Sequence, residues 1–327
     1  MAALCIVFSH SFYLSGNASI EPLLRISNNK IDFSYIGLHI FFTISGFLIA
    51  KSALTSSSYK NYLWKRLLRI QPLLVVVTIV SIIVGAFFST LSITSYFTEF
   101  KTYTYLRNIF PAFGIQFLLP QVFTNNIAES GVNGSLWTLV VEERLYIVML
   151  LFWIFKRNSN IVLLLTISFL NFIHCFNQVF AQNTVFNYFD TVSIFYSTVF
   201  LNAAYFYVAK INFEENAKKY ATISLALLIL LGCFNQINLL GTIITPFFIV
   251  SLAHCNFKIF RFFQFADYTY GLYIFSFPVQ QMLCYKKQEY TNPYTVFVIT
   301  IAIVLPLAMM SWHFFESKIL NYKNCVK

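Results

Sequence analysis

The chain has 327 residues, of which 58% are hydrophobic, 19% aromatic and only 10% charged, with a mean hydropathy of +0.69. A soluble domain averages about 25% charged residues, so this chain cannot cover a globule with polar surface and a soluble class is excluded. The net charge of +10 sits in the connections between apolar runs, where membrane topology accounts for it, and no nucleic-acid partner is expected.

Ten apolar segments follow in chain order, at residues 1–15, 35–54, 70–89, 136–155, 159–177, 186–208, 221–236, 237–254, 268–285 and 293–316. Most reach the ~20 residues that a spanning helix needs. They predict an all-α polytopic membrane protein of about ten transmembrane helices, forming one membrane domain over residues 1–327. The first segment is short, as if truncated at its N-terminus. Between the third and fourth, YTYLRNIFPAFGIQFLLP (residues 103–120) is apolar but broken by Pro111 and Gly114. It reads as an interfacial or re-entrant piece, with a full span as the lesser alternative. Cys5, Cys175, Cys233, Cys255, Cys284 and Cys325 are scattered without a CxxC pair, so no disulfide framework or metal site is expected.

Charge sets the orientation. With the first connection outside, the inside connections carry fifteen Lys and Arg residues, and the outside ones carry six. Both termini are therefore expected in the cytoplasm.

Charges within the apolar segments carry the functional signal. LWTLVVEERLYIVMLLFWIF (residues 136–155) holds Glu142, Glu143 and Arg144 in a row. Each costs at least ~2.5 kcal/mol in hydrocarbon unless it is paired or used. Successive helix residues point about 100° apart, so the three cannot share one face. His10 lies toward the outer end of the first segment, and Glu142 about two turns into the fourth from the same side. A histidine oriented by a carboxylate is a recipe for a general base. The bland alternative is a histidine that hydrogen-bonds a neighbouring helix. The second segment carries Ser45-Gly46, which lets another helix or a substrate approach its backbone, and a second histidine, His39. YKNYLWKRLLRIQP (residues 59–72) is basic. If helical, it brings Lys65, Arg66 and Arg69 to one face suited to phosphate, although the positive-inside rule alone also predicts a basic loop there.

Taken together, the motifs resemble the acyltransferase-3 family of integral membrane acyltransferases. GLHIFFTISGFLI (residues 37–49) looks like that family's second-helix block, and KRLLRIQP (residues 65–72) like its basic R-x-x-R-x-x-P stretch. GSLWTLVVEERLY (residues 134–146) is similar to its W-S-L-x-x-E block and places Glu142 at the family's glutamate. DYTYGLYIFSFPV (residues 267–279) and SWHFFESKIL (residues 311–320) resemble its last two blocks. MAALCIVFSH looks like the end of the first-helix motif Arg-x10-His, whose arginine would fall just before Met1, so a start further upstream is expected. The chain departs from the family pattern at His39, where an acid is frequent, and at Ser276, where a histidine is frequent.

The resemblance implies transfer of an acyl group, most often acetyl, from cytoplasmic acyl-CoA to a carbohydrate hydroxyl, with no bound cofactor. It implies His10 and Glu142 as catalytic residues, and Lys65, Arg66 and Arg69 as the acyl-CoA site. Ser45, Trp137 and Tyr146 would lie about the substrate or the oxyanion. The expected location is the bacterial inner membrane. On composition alone, a proton-coupled transporter using His10 and Glu142 is also open, as is a catalytically inactive relative. No inverted repeat is apparent to favour transport.

Overall fold

A computed structural model describes residues 1–128, 131–155, 159–180, 191–233, 237–255, 267–285 and 292–325. Among these, ten long helices take up the ten apolar segments: α1 (Ala2–Leu14), α2 (Phe33–Thr55), α3 (Tyr59–Phe88), α4 (Leu136–Ile154), α5 (Ser159–Phe180), α6 (Thr191–Val208), α7 (Phe213–Cys233), α8 (Ile237–His254), α9 (Thr269–Leu283) and α10 (Pro293–Ser311). Extended pairing among the described residues is limited to an isolated bridge between Ser89 and Val122. Four helical stretches are long and apolar enough to cross a bilayer: Phe33–Thr55, Tyr59–Phe88, Thr191–Val208 and Pro293–Lys323. The chain is an all-α, multi-pass membrane protein. α3 begins eleven residues before the apolar run at residue 70, so the basic stretch is the first part of a 30-residue helix.

The chain divides into two compact units, Met1–Gly37, Leu63–Glu143 and Phe265–Lys327 in one, and Leu38–Tyr62 and Arg144–Gln264 in the other. In the first unit α1 packs on α9 and α10. Phe8 of α1 is ringed by Phe33, Tyr294 and Phe297, with centroids 5.1–6.1 Å away. Buried Gln280 of α9 donates to the Val7 carbonyl of α1 at 2.8 Å and sets the register of the pair. Leu14, Phe277, Cys284 and Val296 form a buried cluster. In the second unit α6, α7 and α8 pack together. Gly46 of α2 lies against the Phe200 backbone of α6, so closely that a β-carbon there would run into the Phe200 carbonyl. His39 sits among Phe195 and Tyr196, ring centroids 5.4 Å away. Cys255 is buried with Ala217 and Ala221, whereas Cys325 of the first unit is exposed.

Two prolines show how interrupted helices are tolerated. Proline has no N–H for the carbonyl four residues earlier. Pro278 in α9 thereby frees the Ile274 carbonyl, and Asn133 Nδ2 donates to it at 3.0 Å. Pro246 in α8 frees the Thr242 carbonyl, and Asn202 Nδ2 of α6 donates at 3.0 Å. A freed carbonyl at membrane depth needs such a donor.

The stretch between α3 and α4 doubles back along α3 and is re-entrant in that sense. Its mouth is closed where Ser89 Oγ donates to the Pro120 carbonyl and Thr90 N to the Gln121 carbonyl. From there the chain runs back along α3 through short helical turns. Tyr96 OH donates to the Ile82 carbonyl at 3.0 Å. At the Pro111–Phe113 turn, Ala112 N donates to Glu143 Oε2 at 2.8 Å, while Gln71 Nε2 of α3 donates to Glu143 Oε1 at 2.6 Å. Gln71 lies seventeen residues from the end of α3 at Phe88, about 25 Å along the axis. Outgoing and returning arms are laced by Asn108, which donates to the Gln116 carbonyl and accepts from Gln116 N. Side chains thus satisfy backbone that no helix or sheet satisfies.

Candidate active site

The first unit contains a cavity of about 450 Å³, within the ~300–1,000 Å³ range of small-molecule sites. His10 and Tyr13 of α1 line one side, Gly134 and Trp137 at the start of α4 another, and Phe277 of α9 a third. Phe117 and Leu118 of the returning re-entrant arm complete it. Leu118 is 59% and Tyr13 50% exposed, so the cavity opens at the surface of the unit.

Each wall is held by polar contacts behind it. Val132 N donates to the Phe117 carbonyl at 2.8 Å. Gly131 at φ +88° leaves room for Phe117, because a β-carbon there would lie 2.7 Å from it. Asn133 binds the Ile274 carbonyl and also accepts from Ser135 N at 3.1 Å. Tyr273 OH donates to the Ser135 carbonyl at 2.9 Å and meets the Thr138 hydroxyl at 2.6 Å. Buried Gln281 receives Asn126 Nδ2 at 2.6 Å and donates to the Gly131 carbonyl at 2.8 Å. These contacts fix the first turn of α4 against α9.

The imidazole of His10 meets the Phe277 ring edge to face, centroids 5.2 Å apart and planes at 84°. His10 and Trp137 are therefore brought to one cavity. Glu142 is buried but is absent from the cavity lining. It lies one turn beyond Thr138 on the same helical face, and Thr138 meets the Tyr273 hydroxyl. Glu143 points elsewhere and pins the re-entrant tip, and Arg144 is exposed. The divergence of three adjacent charges follows from helical geometry.

Lys65, Arg66 and Arg69 lie together in the first half of α3. Arg69 is ion-paired to Asp267 at 2.5 Å, both side chains partly exposed. The next residue, Ile70, accepts a bond from Tyr270 OH of α9 at 3.0 Å. Tyr270 and Phe277 are seven residues apart on α9, about 10 Å of rise. The basic face and the cavity are thus about two turns of α9 apart. Ser45 and Tyr146 belong to the second unit, where the Tyr146 carbonyl accepts from Tyr62 OH at 3.1 Å.

The lining residues Tyr13, Phe117, Leu118, Gly134 and Phe277 were not singled out as site residues from sequence. Tyr13 stands one turn after His10, and Gly134 and Phe277 lie inside two of the recognised blocks. Nothing in the sequence points to Phe117 or Leu118.

The sequence profile of an acyltransferase domain matches residues 1–313. The chain belongs to the acyltransferase-3 family. It is 26% identical to the O-acetyl transferase of Shigella phage Sf6 over 98% of this chain and 94% of that protein. It is 31% identical to nodulation protein 10 of Rhizobium leguminosarum bv. viciae over 45% of this chain and 40% of that protein. No solved structure matches the chain. Membership of the acyltransferase-3 family makes the chain an enzyme of acyl transfer rather than the proton-coupled transporter also open to its composition, and its near-full-length relative points to O-acetyl transfer.

Proposed function

We propose that this chain moves an acetyl group from acetyl-CoA to a hydroxyl of a cell-surface or lipid-linked carbohydrate, with His10 as the general base. The observation that carries this reading is a histidine in an open, aromatic-walled cavity, in a chain related over almost its whole length to an O-acetyl transferase. Tyr13 and Trp137 offer flat apolar faces with polar tips, which suit the C–H faces of a sugar ring. The acceptor hydroxyl gives its proton to His10 as its oxygen attacks the thioester carbonyl. The C–S bond then breaks, the ester is released, and the CoA sulfur leaves as the thiol once it regains a proton from the imidazolium. Glu142, buried in the same unit, is assigned as the carboxylate that supports His10. Charge acts at a distance through a low-dielectric interior.

Lys65, Arg66 and Arg69 hold the phosphates of CoA. Arg69 is paired to Asp267, and a guanidinium carries five N–H groups in all. The two turns of α9 between this face and the cavity suit a donor anchored by phosphate at one end and reacting at the other. Trp137, in the cavity wall, is assigned to the substrate side. The enzyme lies in the bacterial inner membrane with about ten spans and both termini in the cytoplasm, as the distribution of Lys and Arg suggests.

The test compares wild type and His10→Ala at matched membrane levels, weighing the host's surface glycan by mass spectrometry. An acetyl-sized increment with wild type only is expected. An equal increment in both would remove His10 from the mechanism. Reporter fusions to each terminus check the orientation, and both reporters should be active on the cytoplasmic side.

A further inference from the structure

Among the described residues nothing hydrogen-bonds to the ring nitrogens of His10. The second torsion of a histidine is broad, so a ring without such a bond swings unless it is packed. Among the described residues the imidazole has one ring contact, the edge-to-face meeting with Phe277.

Phe277 is itself confined. It is buried, 3% exposed, and its ring tip lies over the backbone of Gly134. A β-carbon at Gly134 would come 2.5 Å from both Cε2 and Cζ of Phe277, a separation that forces one of them to move. Gln280, one turn further along α9, fixes the register of α1 through Val7, one turn before His10. The histidine, the phenylalanine and the glycine therefore form a row, each placing the next.

We propose that Phe277 is a positioning residue that aims the His10 imidazole, and that Gly134 is required because only a residue without a side chain lets the Phe277 ring reach it. This rests on the reading of His10 as the base. Among the described residues the row leaves both imidazole nitrogens without a hydrogen bond, so there it is packing that orients the ring. It also makes one end of α4 a determinant of turnover although it donates nothing to the reaction.

The experiment uses the full chain in nanodiscs, acetyl-CoA as donor and the polysaccharide fraction that wild type acetylates as acceptor. Phe277→Leu keeps most of the volume and removes the flat ring. It is expected to lower kcat at least tenfold and leave the KM for acetyl-CoA within twofold. Phe277→Tyr, which restores the ring, should return kcat to within threefold of wild type. Gly134→Ala should lower kcat about as much as Phe277→Leu, and the double variant should be no worse than either single one, because both act through the same ring. A double variant whose loss is the product of the two would overturn the row, as would a Phe277→Leu enzyme with wild-type kcat. His10→Ala in the same assay separates the failures. If it keeps wild-type turnover, the base assignment fails and the row with it. If it is inactive while Phe277→Leu is normal, only the positioning role fails.

Discussion

Two neighbouring glutamates have different surroundings because a helix turns by about 100° per residue. Glu143 accepts from Gln71 and from the Ala112 backbone. Removing it strands two partly buried donors, and a buried orphan costs up to about 1–3 kcal/mol. Glu143→Ala is expected to lower the melting temperature of the detergent-purified protein more than Glu142→Ala does. Glu142→Ala should instead lower kcat. Differential scanning fluorimetry and acetyl-transfer kinetics on the same preparations check both. At the other end of the unit, Arg69→Ala should raise the KM for acetyl-CoA about tenfold and leave kcat nearly unchanged, which initial-rate kinetics would show. His10 was legible in sequence because a titratable group in an apolar run is rare. Phe277 was not, since the chain has 39 phenylalanines and nothing in their spacing marks the one that touches the histidine.

Helix positions were legible because an apolar run of spanning length has few alternatives. Helix beginnings were less so. α3 starts well before its hydropathy rises because Lys, Arg and Trp also favour or tolerate helix. The break between α3 and α4 was visible in Pro111 and Gly114, but its depth was not, because the bonds that hold it join residues far apart in the chain, as at Ala112 and Glu143. The proline devices in α8 and α9 were equally hidden. They make a prediction for elements. Asn202→Ala leaves the Thr242 carbonyl without its donor and should destabilise the protein by about 1–3 kcal/mol. Adding Pro246→Ala restores an N–H to α8 and should recover much of that loss. Thermal unfolding of the single and double variants reads the outcome. Gly46→Val should be more damaging than either, because its obstacle is the backbone at Phe200, which cannot rotate away as a side chain can.

At the scale of the molecule, many large apolar side chains are exposed, Phe87 at 72% and Phe113 at 82% among them. In a chain this poor in charge they face lipid rather than water, and the protein should leave the membrane only with detergent. The sequence announced that environment through composition alone. The division into two units was not legible, because three of its boundaries fall within α2, α3 and α4 rather than at polar linkers. Each unit nevertheless holds a buried cysteine, Cys284 in the cluster that contains Phe277 and Cys255 beside Ala217. The two thiols are built-in clocks. On stepwise heating with a maleimide, Cys325 should be alkylated at once, and Cys284 and Cys255 only when their own surroundings open, each read by peptide mass spectrometry. Loosening around the cavity's unit would then carry a chemical timestamp distinct from that of the other unit, with no probe introduced into the protein.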